Sequence, residues 1–420
     1  MSLRDRFKEL FASSPLPRVT PILPVTPHIS APIQAKQPAG RPAYPGLHPR
    51  LLSAGVSFGL RLHRQLAGER PSDNLVLCPV SIGLTLAMAT NGARSQTRDS
   101  MARILGIENM EAEEYNKGYA EILEALRIRG EKVELRLGNS LWVDNAYPVL
   151  PDFVSACKKY YDAEVVNVPF RSADTATRIN RWVSEQTAGK ISEIIEHTSA
   201  LDQLLLLNAA YFLGRWANPF DPDKTREGVF HAASGRRPHP MMHQGGHYDY
   251  LETDGFQAVA LPYGFWGTAM YLFLPRERIA LAKFLEEIDA AKWQEWIAGF
   301  QHRQGEIVVP RFQARCDAEL TGALRALGMT APFECDRADF SGMFLGAFDS
   351  FVNRFLHKTF LDVNEKGTEA AAATGKMIRL TYTGPPPTPP FRMVVDRPFF
   401  LAIRDKLSGL LLFTGSVLEP

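Results

Sequence analysis

An α+β fold is predicted for this chain of 420 residues, because helical patterns gather early, strand patterns gather late, and the two never alternate as βαβ units. Ten prolines between Pro15 and Pro49 set a short N-terminal stretch apart and bar helix or central strand between them. The chain has 45% hydrophobic and 22% charged residues, the composition of an ordinary globular protein. A net charge of +1 argues against broad electrostatic capture of nucleic acid or of an anionic membrane. Cys78, Cys157, Cys316 and Cys335 are scattered without CxxC spacing and read as free thiols in a reducing compartment.

The elements follow in order. In "MSLRDRFKELFASSP", Leu3, Phe7, Leu10 and Phe11 fall at helical spacing, but no apolar core follows the basic residues as in a secretory leader. A cytoplasmic protein is expected, with non-standard export as the alternative. Residues 1–47 are expected to form a flexible tail, and 48–420 one folded domain. "LHPRLLSAGVSFGLRLHRQLAG" predicts a helix closing on Gly68. "CPVSIGLTLAMATNGA" predicts a fully buried helix opened by Pro79 and ended by Asn91-Gly92. The acidic stretch 108–130 predicts an exposed helix, and "LRLGNSLWVD" alternates like a strand. "TATRINRWVSEQTAGKI" (175–191) is amphipathic, with Ile179, Trp182 and Val183 on one face. "LDQLLLLNAAYFLGRW" is a continuous apolar run, suited to a strand covered on both faces. "FQAVALPY" and "TAMYLFLP" predict a strand pair, "GEIVVPRF" another strand, and "AELTGALRALGM" a helix ending on Gly328. "FLHKTFLDVNE" alternates again, and "RMVVDRPFFLAIRD" and "GLLLFTGSV" predict two core strands.

Motifs that carry chemistry are few. The sequence holds no GxGxxG or GxxxxGK[ST] loop, no HExxH, no GxSxG elbow and no EF-hand loop. In "HPMMHQGGH", His239, His243 and His247 recur every four residues and would share a face on a helix. Pro240 and Gly245-Gly246 argue against a helix, so these read as surface histidines on a turn. A metal-dependent enzyme built on them would carry stoichiometric zinc. Trp142, Trp182 and Trp216 lie in apolar runs and are expected in the core, and Cys78 beside a buried helix start is expected to be inert. No enzyme activity, metal or cofactor is expected.

One segment makes opposite demands on the chain. "GTEAAAATGKMIRLTYTGPPPTPP" joins an alanine tract of good helix formers to a proline-rich spacer, with no sizeable apolar side chain before Met377. Together with "LHKTFLDVNEKGTEAAAAT", "VVDRPFFLAIRD", "LFTGSVLEP", "LNAAYFLGRW", "NSLWV" and "CPVSIGLTLAM", in this chain's spacing, it resembles the serpins, the suicide inhibitors of serine and cysteine proteases. The likeness covers about residues 48–420. It implies a single domain of three β-sheets and eight or nine helices, with an exposed reactive loop near the C-terminus, about 365–396.

In that family the small-residue tract is a loop until a protease cuts it, and then enters the main sheet as a new strand. Small, unbranched side chains suit a segment with two destinations. The resemblance assigns the hinge to Glu365, Gly367, Thr368, Glu369, Ala370, Ala371, Ala372, Ala373 and Thr374. By the period-two rule, if Thr368 faces the core then Ala370, Ala372, Thr374 and Ile378 do too, and Lys376 falls on the same face, against full insertion. Ladder hydrogen bonds of ~1 kcal/mol each make insertion worth on the order of 10–25 kcal/mol, beyond a typical stability of ~5–15 kcal/mol. The uncut form is then a trap.

Counting from Glu365 places the acylated residue at Thr381 and the bond at Thr381–Tyr382, with Leu380 and Arg379 as alternatives for chymotrypsin-like and trypsin-like attack. Thr381 fits a small pocket, so elastase-like or subtilisin-like serine proteases are the expected partners of a monomer. The resemblance places Ser81, Asn208 and His357 in the shutter under the sheet centre, Trp216 in the breach where the hinge enters, and Arg311 opposite Glu365 in an exposed ion pair. Ser95 stands where glycine is usual, a substitution read as harmless. The helix near 108–127 is acidic where heparin-binding members are basic. A non-inhibitory chaperone or carrier is the alternative; such members carry bulky, charged or proline residues among the small side chains of the hinge, and the run Ala370 to Ala373 here has none.

Overall fold

Leu51, Phe58, Leu62 and Leu66 recur at helical spacing, and they bury one face of α1 (Pro49–Glu69). A computed structural model describes the chain at residues 46–127, 133–264, 267–344, 350–368 and 389–420. Gly68 does not end α1, contrary to expectation. It stays helical, a Gln65–Glu69 side-chain hydrogen bond of 2.8 Å supports the last turn, and Arg70 N–H closes on Leu66 O. Eight helices follow among the described residues: α2 (Pro79–Thr90), α3 (Ser95–Leu105), α4 (Ala112–Arg127), α5 (Pro151–Tyr161), α6 (Asp174–Gln186), α7 (Leu281–Glu287), α8 (Ala290–Gly299) and α9 (Thr321–Ala326).

Every residue of α2 is buried, as its unbroken apolar run requires. α4 is amphipathic, not exposed: Tyr115, Tyr119, Ile122 and Leu126 form an inward stripe. α6 stops at Gln186, short of 191, because Ala188 (φ 51°) and Gly189 (φ 77°) turn the chain into the left-handed region. Ser95 opens α3 at φ 49°, a backbone that favours glycine; its hydroxyl compensates by donating to Asp339 Oδ2 at 2.8 Å.

The strands are β1 (Leu75–Leu77), β2 (Val133–Asp144), β3 (Glu164–Val168), β4 (Leu204–Arg215), β5 (Arg226–Ala232), β6 (Gly235–Glu252), β7 (Phe256–Tyr263), β8 (Thr268–Pro275), β9 (Gln301–Pro310), β10 (Phe312–Glu319), β11 (Arg354–Asn364), β12 (Gly367–Thr368), β13 (Phe391–Val394), β14 (Phe399–Asp405) and β15 (Leu411–Val417). One six-stranded sheet runs β10-β11-β12-β4-β2-β3. The other two sheets of the fold share a strand. β6 pairs with β9 through Met241–Tyr250 and with β7 through Asp249–Glu252, which links them in one nine-stranded ladder. The C-terminal region makes three strands, not two: the chain breaks at Asp396–Pro398, so β13 joins β9 while β14 and β15 pair at the other end.

β4 shows why its sequence is apolar throughout. Leu204, Leu206, Ala210 and Phe212 pack into the core that holds α2, while Leu205, Leu207, Ala209 and Tyr211 pack against Ile179, Trp182 and Val183 of α6. A second layer packs Phe284 and Trp293 of α7 and α8 on Phe256, Phe273 and Phe400. Among the described residues no helix is long and apolar enough to cross a membrane. Both β4 and β11 therefore lie in the middle of the six-stranded sheet, and they are paired directly and in parallel, from Arg354↔Leu205 to Phe360↔Tyr211.

Candidate functional site

Where β11 meets β4, three polar residues stand abreast. The register sets Asn139 of β2 opposite Asn208 of β4, and Asn208 opposite His357 of β11. His357 is fully buried, and burial pushes its pKa down to about 3, so it is neutral. Its Nε2 accepts from the Cys78 N–H at 3.2 Å, which leaves Nδ1 to donate to Asn208 Oδ1 at 2.6 Å. Asn208 Nδ2 in turn donates to Ser81 Oγ (2.6 Å), Asn139 Oδ1 (2.6 Å) and Thr85 Oγ1 (3.2 Å). Ser81 and Thr85 also donate to Asn139 Oδ1, each at 3.0 Å. The network ties α2 to β2, β4 and β11 beneath the middle of the sheet, and a buried network of this kind specifies one register.

Asn139 and Thr85 were not singled out from the sequence. The available signal was a polar side chain in the middle of an apolar strand and of an apolar helix.

Beyond Phe360 and Tyr211 the two strands part, and β12 lies between them. Val363↔Thr368 and Asn364↔Gly367 pair on one side; Gly214↔Thr368 and Arg215↔Gly367 pair on the other. β11 and β12 thus form a tight hairpin about Glu365 and Lys366. Trp216 clamps it: its N–H donates to Lys366 O (3.1 Å) and its Nε1 to Asn364 O (2.9 Å). Gly367 is required here. At φ 142° a Cβ would lie 2.1 Å from Gly214 O and 2.6 Å from Arg215 Cα. Gly367→Ala is expected to unseat β12, seen as loss of amide-exchange protection across Asn364–Thr368.

Glu365 corrects an expectation. The pair with Arg311 is present at 3.5 Å, but only Arg311 is exposed; Glu365 is buried, takes a second hydrogen bond from Thr225 Oγ1 at 2.8 Å, and its carbonyl accepts from Phe220 N–H at 2.8 Å. Thr225 is a further partner that the sequence did not announce. Thr368 does face the core, fully buried.

Glu369 to Thr374, Lys376, Arg379, Leu380, Thr381 and Tyr382 lie outside the described residues. The three spaced histidines do not sit on a turn. His239, His243 and His247 belong to β6, where four-residue spacing separates neighbours by roughly 13 Å. His239 bonds Arg311 O, and His247 stacks on His302 of β9 at 5.7 Å. Among the described residues no three metal-ligating side chains gather. Trp142 and Trp182 are core residues, as expected, and meet edge to face at 6.3 Å.

A family described as serpin (serine protease inhibitor) matches residues 53–420. An uncharacterized serpin-like protein of Thermococcus kodakarensis is 33% identical over 88% of this chain and 86% of its own length. The leukocyte elastase inhibitor of Bos taurus is 32% identical over 88% of this chain and 100% of its own. The crystal structure of human thyroxine-binding globulin complexed with thyroxine superposes with a TM-score of 0.79 at 27% identity, covering 88% of this chain and 98% of that one. The likeness thus spans a protein named as an elastase inhibitor and one named as a thyroxine-binding globulin, on one architecture. With the family match over most of its length and the fold to go with it, the chain belongs to the serpin family.

Proposed function

We propose that this chain is a suicide-substrate inhibitor of serine endopeptidases, cut at Thr381–Tyr382. One observation supports the reading above others: β11 and β4 are joined directly over seven residue pairs, yet at one end they already hold Gly367–Thr368 between them. The strand that would follow is led by the small side chains Ala370 to Ala373. In the proposed reaction the protease serine Oγ attacks the Thr381 carbonyl carbon, the bond to the Tyr382 nitrogen breaks, and Tyr382 leaves as a protonated amine. An ester to the protease remains. Insertion then replaces one parallel ladder with two antiparallel ones, each new hydrogen bond contributing ~1 kcal/mol. The protease is carried along with its acyl group, and a catalytic constellation displaced by about 1 Å already loses ~100-fold in rate.

Thr381 favours an elastase-like or subtilisin-like enzyme, and the likeness to an elastase inhibitor supports the same class. The chain takes part as a substrate analogue, not as a catalyst. Four scattered cysteines without CxxC spacing, three of them buried, support a reducing compartment such as the cytoplasm. Incubation with an elastase-like protease is expected to give a complex that survives denaturing gels, and mass spectrometry to find a released peptide beginning at Tyr382. A peptide beginning at Thr381 or Leu380 would move the acylated residue to Leu380 or Arg379. Clean cleavage by every protease tried, with no gain in heat resistance, would refute inhibition. It would favour the carrier reading, which the likeness to thyroxine-binding globulin keeps in view.

A further inference from the structure

Tyr263 ends β7, in the nine-stranded ladder, and reaches across to the six-stranded sheet. Its ring is stacked on Trp216 at 4.3 Å and 11°, and Phe212 meets it edge-on at 5.0 Å. Gly214 leaves room for the Tyr263 and Phe212 rings: a Cβ there would lie 2.7 Å from each. Only 1% of Tyr263 is exposed, and burial raises its phenol far above the usual range, so the hydroxyl stays protonated. That hydroxyl shares a hydrogen bond of 2.9 Å with Oγ1 of Thr368, itself fully buried.

We infer that Tyr263 is a positioning residue of the hinge: its hydroxyl holds Thr368 and thereby keeps Gly367–Thr368 seated between β11 and β4 before any cleavage. The turn at Glu365 and Lys366 is held by Trp216 and Phe220, but the side chain of Thr368 is held from the other sheet. Withdrawing β12 would strip two buried hydroxyls of their mutual partner, which buried polar groups resist. Seating has a kinetic consequence that rests on the inhibitory reading above. Insertion races deacylation, and a hinge already paired on both sides has passed the slow first step of opening the sheet. Tyr263 would then set how many inhibitor molecules are consumed for each protease trapped.

The test uses the full uncleaved chain, with Tyr263→Phe, Thr368→Val and the double variant; both changes keep shape and remove only the hydroxyl. Amide exchange over 361–368 is expected to quicken about tenfold in each single variant and no further in the double. Against an elastase-like protease, each variant is expected to need at least about twofold more inhibitor per protease trapped. Unchanged exchange overturns the assignment whatever the protease does, and additive effects in the double variant overturn it as well. Faster exchange at unchanged stoichiometry overturns the kinetic role. If exchange responds as expected but wild-type protein traps no protease, the hinge assignment is upheld and the inhibitory reading falls. A residue that merely supported the core would lower the melting temperature without moving the stoichiometry.

Discussion

On the proposed inhibitory reading, Thr368→Arg is expected to turn the chain from inhibitor into substrate, lowering the yield of trapped protease by about 100-fold or more. Thr368 is fully buried, lies between two strands, and bonds Tyr263, whose ring is stacked on Trp216. A guanidinium there would have to shed its water, at a cost of several kcal/mol, or keep the hinge out of the sheet. The second course is cheaper. The uncut protein still folds, since the direct pairing of β11 with β4 needs no β12, and its melting temperature should stay within a few degrees of wild type. After cleavage the first residue of the incoming strand blocks the slot, and deacylation wins. A denaturing gel and a titration of active protease measure the outcome. Complexes at wild-type yield would sink strand insertion through this slot.

His357→Ala is expected to remove about 3–5 kcal/mol of stability, a large share of a typical total of ~5–15 kcal/mol. The change leaves a cavity beneath the sheet and deprives both Asn208 Oδ1 and the Cys78 N–H of a partner. Acid should act on the same residue. Burial holds His357 and His63 at a pKa of about 3, below the ordinary 6.5. The unfolded chain therefore binds more protons than the native one between pH 6.5 and 3. Stability is complete above pH 6.5 and declines as pH falls through that window, with a limiting slope of about 1.4 kcal/mol per pH unit for each histidine. Urea midpoints at pH 7.5 and 5.5 check this, and the window above pH 5 limits the part played by carboxylates. His357→Asn should roughly halve the slope; equal midpoints at the two pH values would show that the histidines do not titrate this way.

Much of the architecture was legible beforehand because the signals were local. The apolar run Leu204–Phe212, interrupted by Asn208, suits a strand covered on both faces, and the largely apolar sequence of α2 suits a buried helix. The polar stretch that became α4 misled because its inward residues are tyrosines, spaced four apart among glutamates. Gly68 looked like a stop because composition marks a cap, while hydrogen bonds beyond it decide where the helix ends. The histidines at 239, 243 and 247 had a helical period, yet Pro240 and the glycine pair left them to β6, where the same spacing spreads them apart.

From the amino-acid order alone came the family likeness, the buried strands, and a tract of small side chains after Thr368, for these depend on neighbours a few positions away. Folding alone decided that Asn139, Asn208 and His357 stand in line, that Glu365 is buried, and that Thr368 touches Tyr263. Each of those facts joins residues from distant parts of the chain. A period of two or 3.6 says which face a side chain takes, but not which strand lies alongside or which sheet lies above. Register and layer packing settle that, and the candidate site lies where β11 and β4 stop pairing and β12 begins.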